Sequence, residues 1–310
     1  MCFWPKTGPW RRRLSRSTIR ENGPDPVILP CMSDAFRHCM DLLRTGDREF
    51  YLAVLFAPED KRPALAALHA FNLETARIRD LVSEPMPGEI RLQWWREVVE
   101  GSRDGEARQN PVAGELIAAI EAFNLPRAAL TNLLDARVFD FYDDPMPDRV
   151  TLEGYLGETV SALLQMSAQV LADGADPHTA DAAGHGGVAH GIVSILRRMP
   201  LDRARGRVMI PSDILAAAGI DPAGWVAGSD TAAMARAVAI LIEIGREHLG
   251  KAEAAISAAD KALRPAFLPL SECAPAFARA TKPSAAPWAR PIYSSPVASY
   301  MRVVTRAIRS

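Results

Sequence analysis

The chain has 310 residues, 48% of them hydrophobic and 24% charged, with a formal net charge of −1. That balance excludes global disorder and allows a sizeable core, in one large domain or two small ones. The near-neutral charge excludes bulk attraction to nucleic acid, and no nucleic-acid motif is present.

Residues 1–32 are basic and punctuated by Pro and Gly, with Arg11, Arg12 and Arg13 adjacent, and they contain no apolar stretch of signal-peptide type. A disordered tail is expected there, or a stretch ahead of a start at Met32; the basic, Ser-containing composition is also compatible with an organelle-targeting segment. From Ser33 onward apolar residues recur at three and four, through residues 33–44, 49–82 and 88–101. Ser33 and Asp34 suit a helix N-cap, and Pro63 suits a first helical turn. Pro111 and Pro126 open two further helical segments, while 101–110 and 143–148 read as loops. The same period continues through 152–172, 180–207, 231–259 and 295–310. With no strand-helix alternation and no low-complexity break after residue 33, the pattern predicts an all-α single bundle over 33–310. No run of about 18 uninterrupted apolar residues occurs, so no spanning helix is expected and the chain reads as soluble or peripheral.

Four cysteines, Cys2, Cys31, Cys39 and Cys273, have neither paired disulfide spacing nor CxxC metal spacing. Free thiols in a reducing, cytoplasmic setting follow. In the last segment Val297, Met301, Val304 and Ile308 form one helical stripe, with Arg302, Arg306 and Arg309 at other angles. The stripe is expected to pack on the bundle, with weak, salt-sensitive membrane contact as the second reading.

Several constellations invite a chemical reading. Asp140, Asp143 and Asp144 run into Pro145, which makes a solvated acidic turn rather than a metal site. His185 and His190 are five apart, on different helix faces, and cannot chelate as a pair four apart would. Gly184, Gly186, Gly187 and Gly191 follow no strand and no dinucleotide fingerprint; close helix approach or room for a ligand chain explains them better. Trp94 and Trp95 read as a core aromatic cluster.

Residues 63–84 and 180–207 carry the main resemblance. Leu68, Ala70 and Phe71 in the first, and Gly187, Ala189, Ile195, Leu196, Arg197, Arg205, Gly206, Arg207, Ile210 and Pro211 in the second, resemble the frames around the two Asp-rich motifs of the squalene/phytoene synthase family. Trp94-Trp95-Arg96, Asn110-Pro111-Val112, Asp135, Asp140 and Tyr155 extend the likeness in order. It implies an isoprenoid-synthase bundle with a central cavity, across which the two motif helices face each other. In that family the motif carboxylates hold Mg²⁺ against a diphosphate, an oxygen-rich task suited to aspartates four apart on facing helices. Here the place of DDxxD reads Ala76-Arg77-Ile78-Arg79-Asp80 and that of DxxED reads Arg198-Met199-Pro200-Leu201-Asp202, so Asp80 and Asp202 alone survive. A unit charge pair at contact is worth roughly 4 kcal/mol at an effective dielectric of 20, so Arg198 would repel a divalent ion by about 8 kcal/mol.

No catalytic residue, metal or cofactor is therefore expected. Arg77, Arg79, Arg197, Arg198, Arg205 and Arg207 become candidates for metal-free anion or diphosphate binding, since guanidinium forks bind phosphate bidentately. The competing reading pairs them with Glu74, Asp80, Glu84 and Asp202. The stretches FNLETARIRD, LQWWREVVE, HGGVAHGIVSILRRMP and RGRVMIP are similar to the family branch that assembles respiratory complex I. That likeness implies a non-catalytic protein acting on complex I subunits or assembly intermediates, peripheral at an inner membrane (the matrix side in a mitochondrion). The alternatives are a Mg²⁺-dependent head-to-head prenyl transferase using Asp80 and Asp202, and a module that binds a prenyl diphosphate or phospholipid.

Overall fold

The Ser33 hydroxyl accepts a hydrogen bond from the Phe36 N–H and caps α1 (Asp34–Gly46). A computed structural model of the protein describes residues 33–282 and 284–309, so the expected tail over 1–32 lies outside the described residues. Asp47 caps α2 (Arg48–Phe56) in turn. Ala57 and Pro58 are extended and end the helical path, so 49–82 is two helices, with α3 spanning Arg62–Leu81. Next come α4 (Pro85–Glu100), a short α5 (Asp104–Ala107) inside the expected loop, α6 (Pro111–Phe123) capped by Asn110, and α7 (Arg127–Val138). A 3₁₀ turn at Phe139–Phe141 leads to α8 (Arg149–Leu156), a π turn at Gly157–Ser161, and α9 (Ala162–Leu171). The long α10 (Ala180–Ala204) is followed by α11 (Ser212–Ala218), α12 (Pro222–Ala227), α13 (Thr231–Ala258), a 3₁₀ segment at Lys261–Glu272, α14 (Cys273–Ala280) and α15 (Pro296–Arg309). Among the described residues there is no strand.

Packing follows the apolar faces. One group joins α1, α3 and α6, another sets α4 on α7, and α10 runs along α13 with α9 and the π turn at its side. Two glycines explain how close α10 comes to that turn. A Cβ on Gly187 would stand 2.2 Å from Ser161 Oγ and 2.4 Å from its backbone N, and one on Gly191 would stand 2.4 Å from Leu156 Cδ2. Close approach thus holds at Gly187 and Gly191, whereas a Cβ on Gly184 would meet nothing within 4 Å. Trp95 is buried edge-on to Phe71 and Trp94, at 5.1 and 5.0 Å between ring centres, as a core aromatic cluster should be. Cys39 and Cys273 are free and buried, and burial pushes the Cys39 thiol up to about 12.

The expectation that the α15 stripe packs on the bundle fails. Val303 of that helix is buried, at 0% exposure in a cluster with Leu52, Ala53 and Leu268, as is Ser299. Opposite it, Val297, Met301 and Ile308 are 72%, 54% and 78% exposed, and Val304 between them is half-buried. The reason is electrostatic as well as steric: buried Glu272 accepts both Arg302 Nε and Nη2, at 2.7 and 2.8 Å, and so turns the Arg302 side inward.

Candidate functional site: an arginine-filled cage

Asp80 near the end of α3 and Asp202 near the end of α10 line one cavity of ≈ 720 Å³, so the two motif regions do face each other. Its wall is built from α2, α3, the π turn and α10, closed by residues just before and within α15. The carboxylates do not form an open cage. Arg79 Nη2 donates to Asp202 at 2.5 Å and Nη1 to Asp140 at 3.0 Å, with all three side chains buried. Arg198 grips Asp80 with two parallel bonds of 3.1 and 3.0 Å and reaches Asp202 at 3.4 Å, while Arg205 also pairs with Asp80. Burial alone would raise the Asp80 carboxyl, but Arg198 and Arg205 overcome it and hold it below the usual carboxylate range.

Behind Arg79 a second shell of polar groups completes the network. Tyr155 donates to Asp140 at 3.0 Å, and Arg137 donates to the Tyr155 hydroxyl at 3.2 Å and to Asn72 at 2.8 Å. Burial, and Asp140 next to it, push the Tyr155 phenol up, so it stays a donor. Asp140 comes from the stretch read as an acidic turn. Asp143 and Asp144 are exposed as expected, but Asp140 is buried and paired with Arg79, Arg137 and Tyr155, on a 3₁₀ turn whose Phe141 ring packs against Gly88.

A separate ionic chain runs along the other wall. Glu49 bonds His190 at 3.1 Å and Arg197 at 2.6 Å, and Arg197 lies 3.9 Å from Glu272. Burial would raise Glu49, yet its bonds to His190 and Arg197 bring it down to about 2. Burial and the charge of Glu49 push neighbouring Asp47 up to about 6. His185 pairs instead with His248, 3.1 Å away, so the two histidines of α10 serve different partners.

Of the six candidate arginines, Arg77, Arg79, Arg197 and Arg198 line the cavity, while Arg205 and Arg207 lie outside its lining. Arg79, Arg197, Arg198 and Arg205 are committed to carboxylates. Arg207 bonds the Arg79 carbonyl at 3.4 Å and keeps Nη1 buried without a partner; burial, and then Arg79, lower its pKa. Arg77 forms no ion pair within 4 Å among the described residues, and its guanidinium occupies the space that a Cβ on Gly46 would take. Sequence reasoning missed Arg137, Asn72, Glu49 and Glu272 as members of these networks.

Mg²⁺, which the enzyme alternative requires, does not fit this donor set. Among the described residues no three acidic, His or Cys side chains converge to hold a metal. Asp80, Asp140 and Asp202 each already accept from two guanidinium groups, so an added divalent cation would meet four arginines before it met a vacant oxygen pair.

Solved squalene synthases share this all-α fold. The crystal structure of squalene synthase HpnC from Alicyclobacillus acidocaldarius matches with a TM-score of 0.67 at 19% identity, over 79% of this chain and 92% of that one. The chain belongs to the squalene/phytoene synthase family, whose model matches residues 43–296. It is 35% identical over 218 residues to NADH dehydrogenase (ubiquinone) complex I, assembly factor 6 of Rattus norvegicus, a match covering 70% of this chain and 65% of that protein. The protein of the same name in Homo sapiens is 37% identical over 183 residues, covering 59% of this chain and 55% of that protein. The chain thus spans less than two thirds of the length of these relatives.

Proposed function

We propose that this protein is a non-catalytic member of its family that acts in the assembly of respiratory complex I, and that its cavity takes an anionic ligand without metal. One observation carries the first half: Arg79, Arg198 and Arg205 occupy with fixed guanidinium groups the carboxylates that a metal would need. The relatives named as complex I assembly factors supply the client class, complex I subunits or assembly intermediates. The natural setting is the cytoplasmic or matrix face of an inner membrane. Incubation with farnesyl or geranylgeranyl diphosphate and Mg²⁺ should give no condensed product; formation of one overturns the non-catalytic reading. Deleting the gene should deplete assembled NADH:ubiquinone oxidoreductase, and unchanged levels refute the assembly role.

The second half rests on Arg77, which lines the cavity with no carboxylate within 4 Å among the described residues, and on exposed Arg48 at the rim. A prenyl diphosphate or a phospholipid would present phosphate to these two and its chain to Leu156, Val160 and Leu163. Calorimetry with a non-hydrolysable prenyl diphosphate should give the same affinity with and without chelator, and Arg77→Met should weaken it about tenfold. Binding that vanishes in chelator revives the enzyme alternative.

A further inference from the structure

The outward side of α15 is apolar, continuous and unpartnered. Val297, Tyr300, Met301 and Ile308 are all at least half exposed on this 14-residue helix, and Tyr293 just before it is 65% exposed. A stripe two turns and more in length on a helix already fixed through its other side is not core left uncovered by chance. Val303, Arg302 and Arg306 hold the inward side, the last two against Glu272 and Glu253.

Charge says what covers the stripe. No Asp or Glu follows Glu272, and of the Lys and Arg that do, Arg279, Arg302 and Arg306 pair with Glu272 and Glu253. Lys282 and Arg290 in this acid-free stretch are exposed. A second copy meeting this face across a two-fold axis would set basic segment against basic segment. An anionic lipid surface instead takes the apolar side chains among its acyl chains, the tyrosines at headgroup depth and the cations against its phosphates.

We propose that α15 docks this protein on an anionic membrane surface through Val297, Tyr300, Met301 and Ile308, with Arg290 and Lys282 beside the headgroups. The docking segment is also cavity wall: Tyr293, Ser294, Pro296 and Ser299 line the ≈ 720 Å³ cavity. Exposed Tyr293 therefore stands at its rim, and docking brings that rim to the lipid. The proposal does not depend on the assembly role, since it rests on this surface alone.

The test is flotation of the full chain with vesicles of phosphatidylcholine, and of equal parts phosphatidylcholine and phosphatidylglycerol. The parent should float with the anionic vesicles and bind the neutral ones at least tenfold more weakly. The triple variant Val297→Asp, Met301→Asp, Ile308→Asp, altered only at exposed positions and checked by an unchanged melting curve, should lose at least tenfold on the anionic vesicles. A Tyr300→Trp variant separates this face from the basic residues before Met32: its added fluorescence should shift to the blue and be quenched by brominated chains. Equal binding by parent and triple variant, or no quenching at position 300, overturns the proposal. So does a vesicle-independent dimer abolished by the triple variant.

Discussion

Arg79 is the side chain on which the cage turns, and replacing it by Met, which keeps the length and removes the fork, is the sharpest test of its role. The parent ties Asp202 to Asp140 through one guanidinium, at 2.5 and 3.0 Å, with side-chain exposures of 7% for Arg79, 5% for Asp202 and 2% for Asp140. Each contact has a gross attraction of roughly 5 kcal/mol at an effective dielectric of 20, most of it offset by the desolvation of the ions themselves. Removing one partner leaves that desolvation uncompensated, a loss of about 3–5 kcal/mol for a buried pair. The lower end applies, because Asp140 keeps Tyr155 and Arg137 and Asp202 keeps Arg198 at 3.4 Å. Chemical denaturation should thus lose about 3 kcal/mol, and the melting temperature should fall by about 6–12 °C. The double variant Arg79→Met with Asp202→Leu should lose less than the sum of the two single variants, by about 1–3 kcal/mol. A single variant within about 1 kcal/mol of the parent, or strict additivity in the cycle, would show that the cage is no energetic unit.

Three further outcomes follow from neighbouring contacts. Arg198→Asp removes the fork on Asp80 and adds a third carboxylate; millimolar Mg²⁺ should then raise the melting temperature of the variant by several degrees and leave the parent unmoved, and a variant blind to Mg²⁺ refutes the reading of Arg198 as a built-in cation. Asp47, pushed up from 3.8 to about 6, binds more protons folded than unfolded between those values, so it subtracts stability as pH rises through that window. Asp47→Asn, which can still cap α2, should flatten denaturation-derived stability between pH 4 and 6 and gain about 1–2 kcal/mol at pH 7; an unchanged slope there rejects the assignment. Glu49, held down at about 2, acts in the opposite sense, its contribution fading as pH falls below about 4.5. Gly187→Ala should cost about 3 kcal/mol or prevent folding, because the new methyl meets backbone atoms of Ser161 that cannot rotate away; a melting curve like the parent's would mean that α10 and the π turn can part.

The all-α bundle was legible because burial of a helix face writes itself locally, as apolar residues at three and four. The facing of α3 and α10 was legible through their retained frames, even with the carboxylates gone. The pairings inside the cage were not, since Arg79 finds Asp140 and Asp202 at separations of 61 and 123 residues. No local pattern distinguishes a cation aimed at a distant carboxylate from one aimed at a phosphate. Asp140 is hidden for a subtler reason: it shares a stretch with two solvated aspartates, and its partners Arg79 and Tyr155 lie on other helices. The stripe on α15 was read with the right residues on the wrong side. Periodicity gives a face, but Val303 and Glu272 decide which face meets the body.

These contacts suggest what the lost carboxylates were exchanged for. Aspartates on facing helices repel until a cation sits between them, so a metal-loaded cage is stable only when filled. Here the cations are part of the chain. Arg79 and Arg198 join α3 to α10 continuously, and neither leaves with a product. The arrangement replaces an exchangeable cation with a permanent clamp across the cavity. Outside the clamp, Arg77 and Arg48 have no carboxylate within ion-pair distance among the described residues, and the apolar side of α15 is exposed. Arg198→Asp places the two states in one scaffold. If it exposes a Mg²⁺ response while lowering stability without the ion, the same position controls both, and the guanidinium of Arg198 stands where an exchangeable cation could.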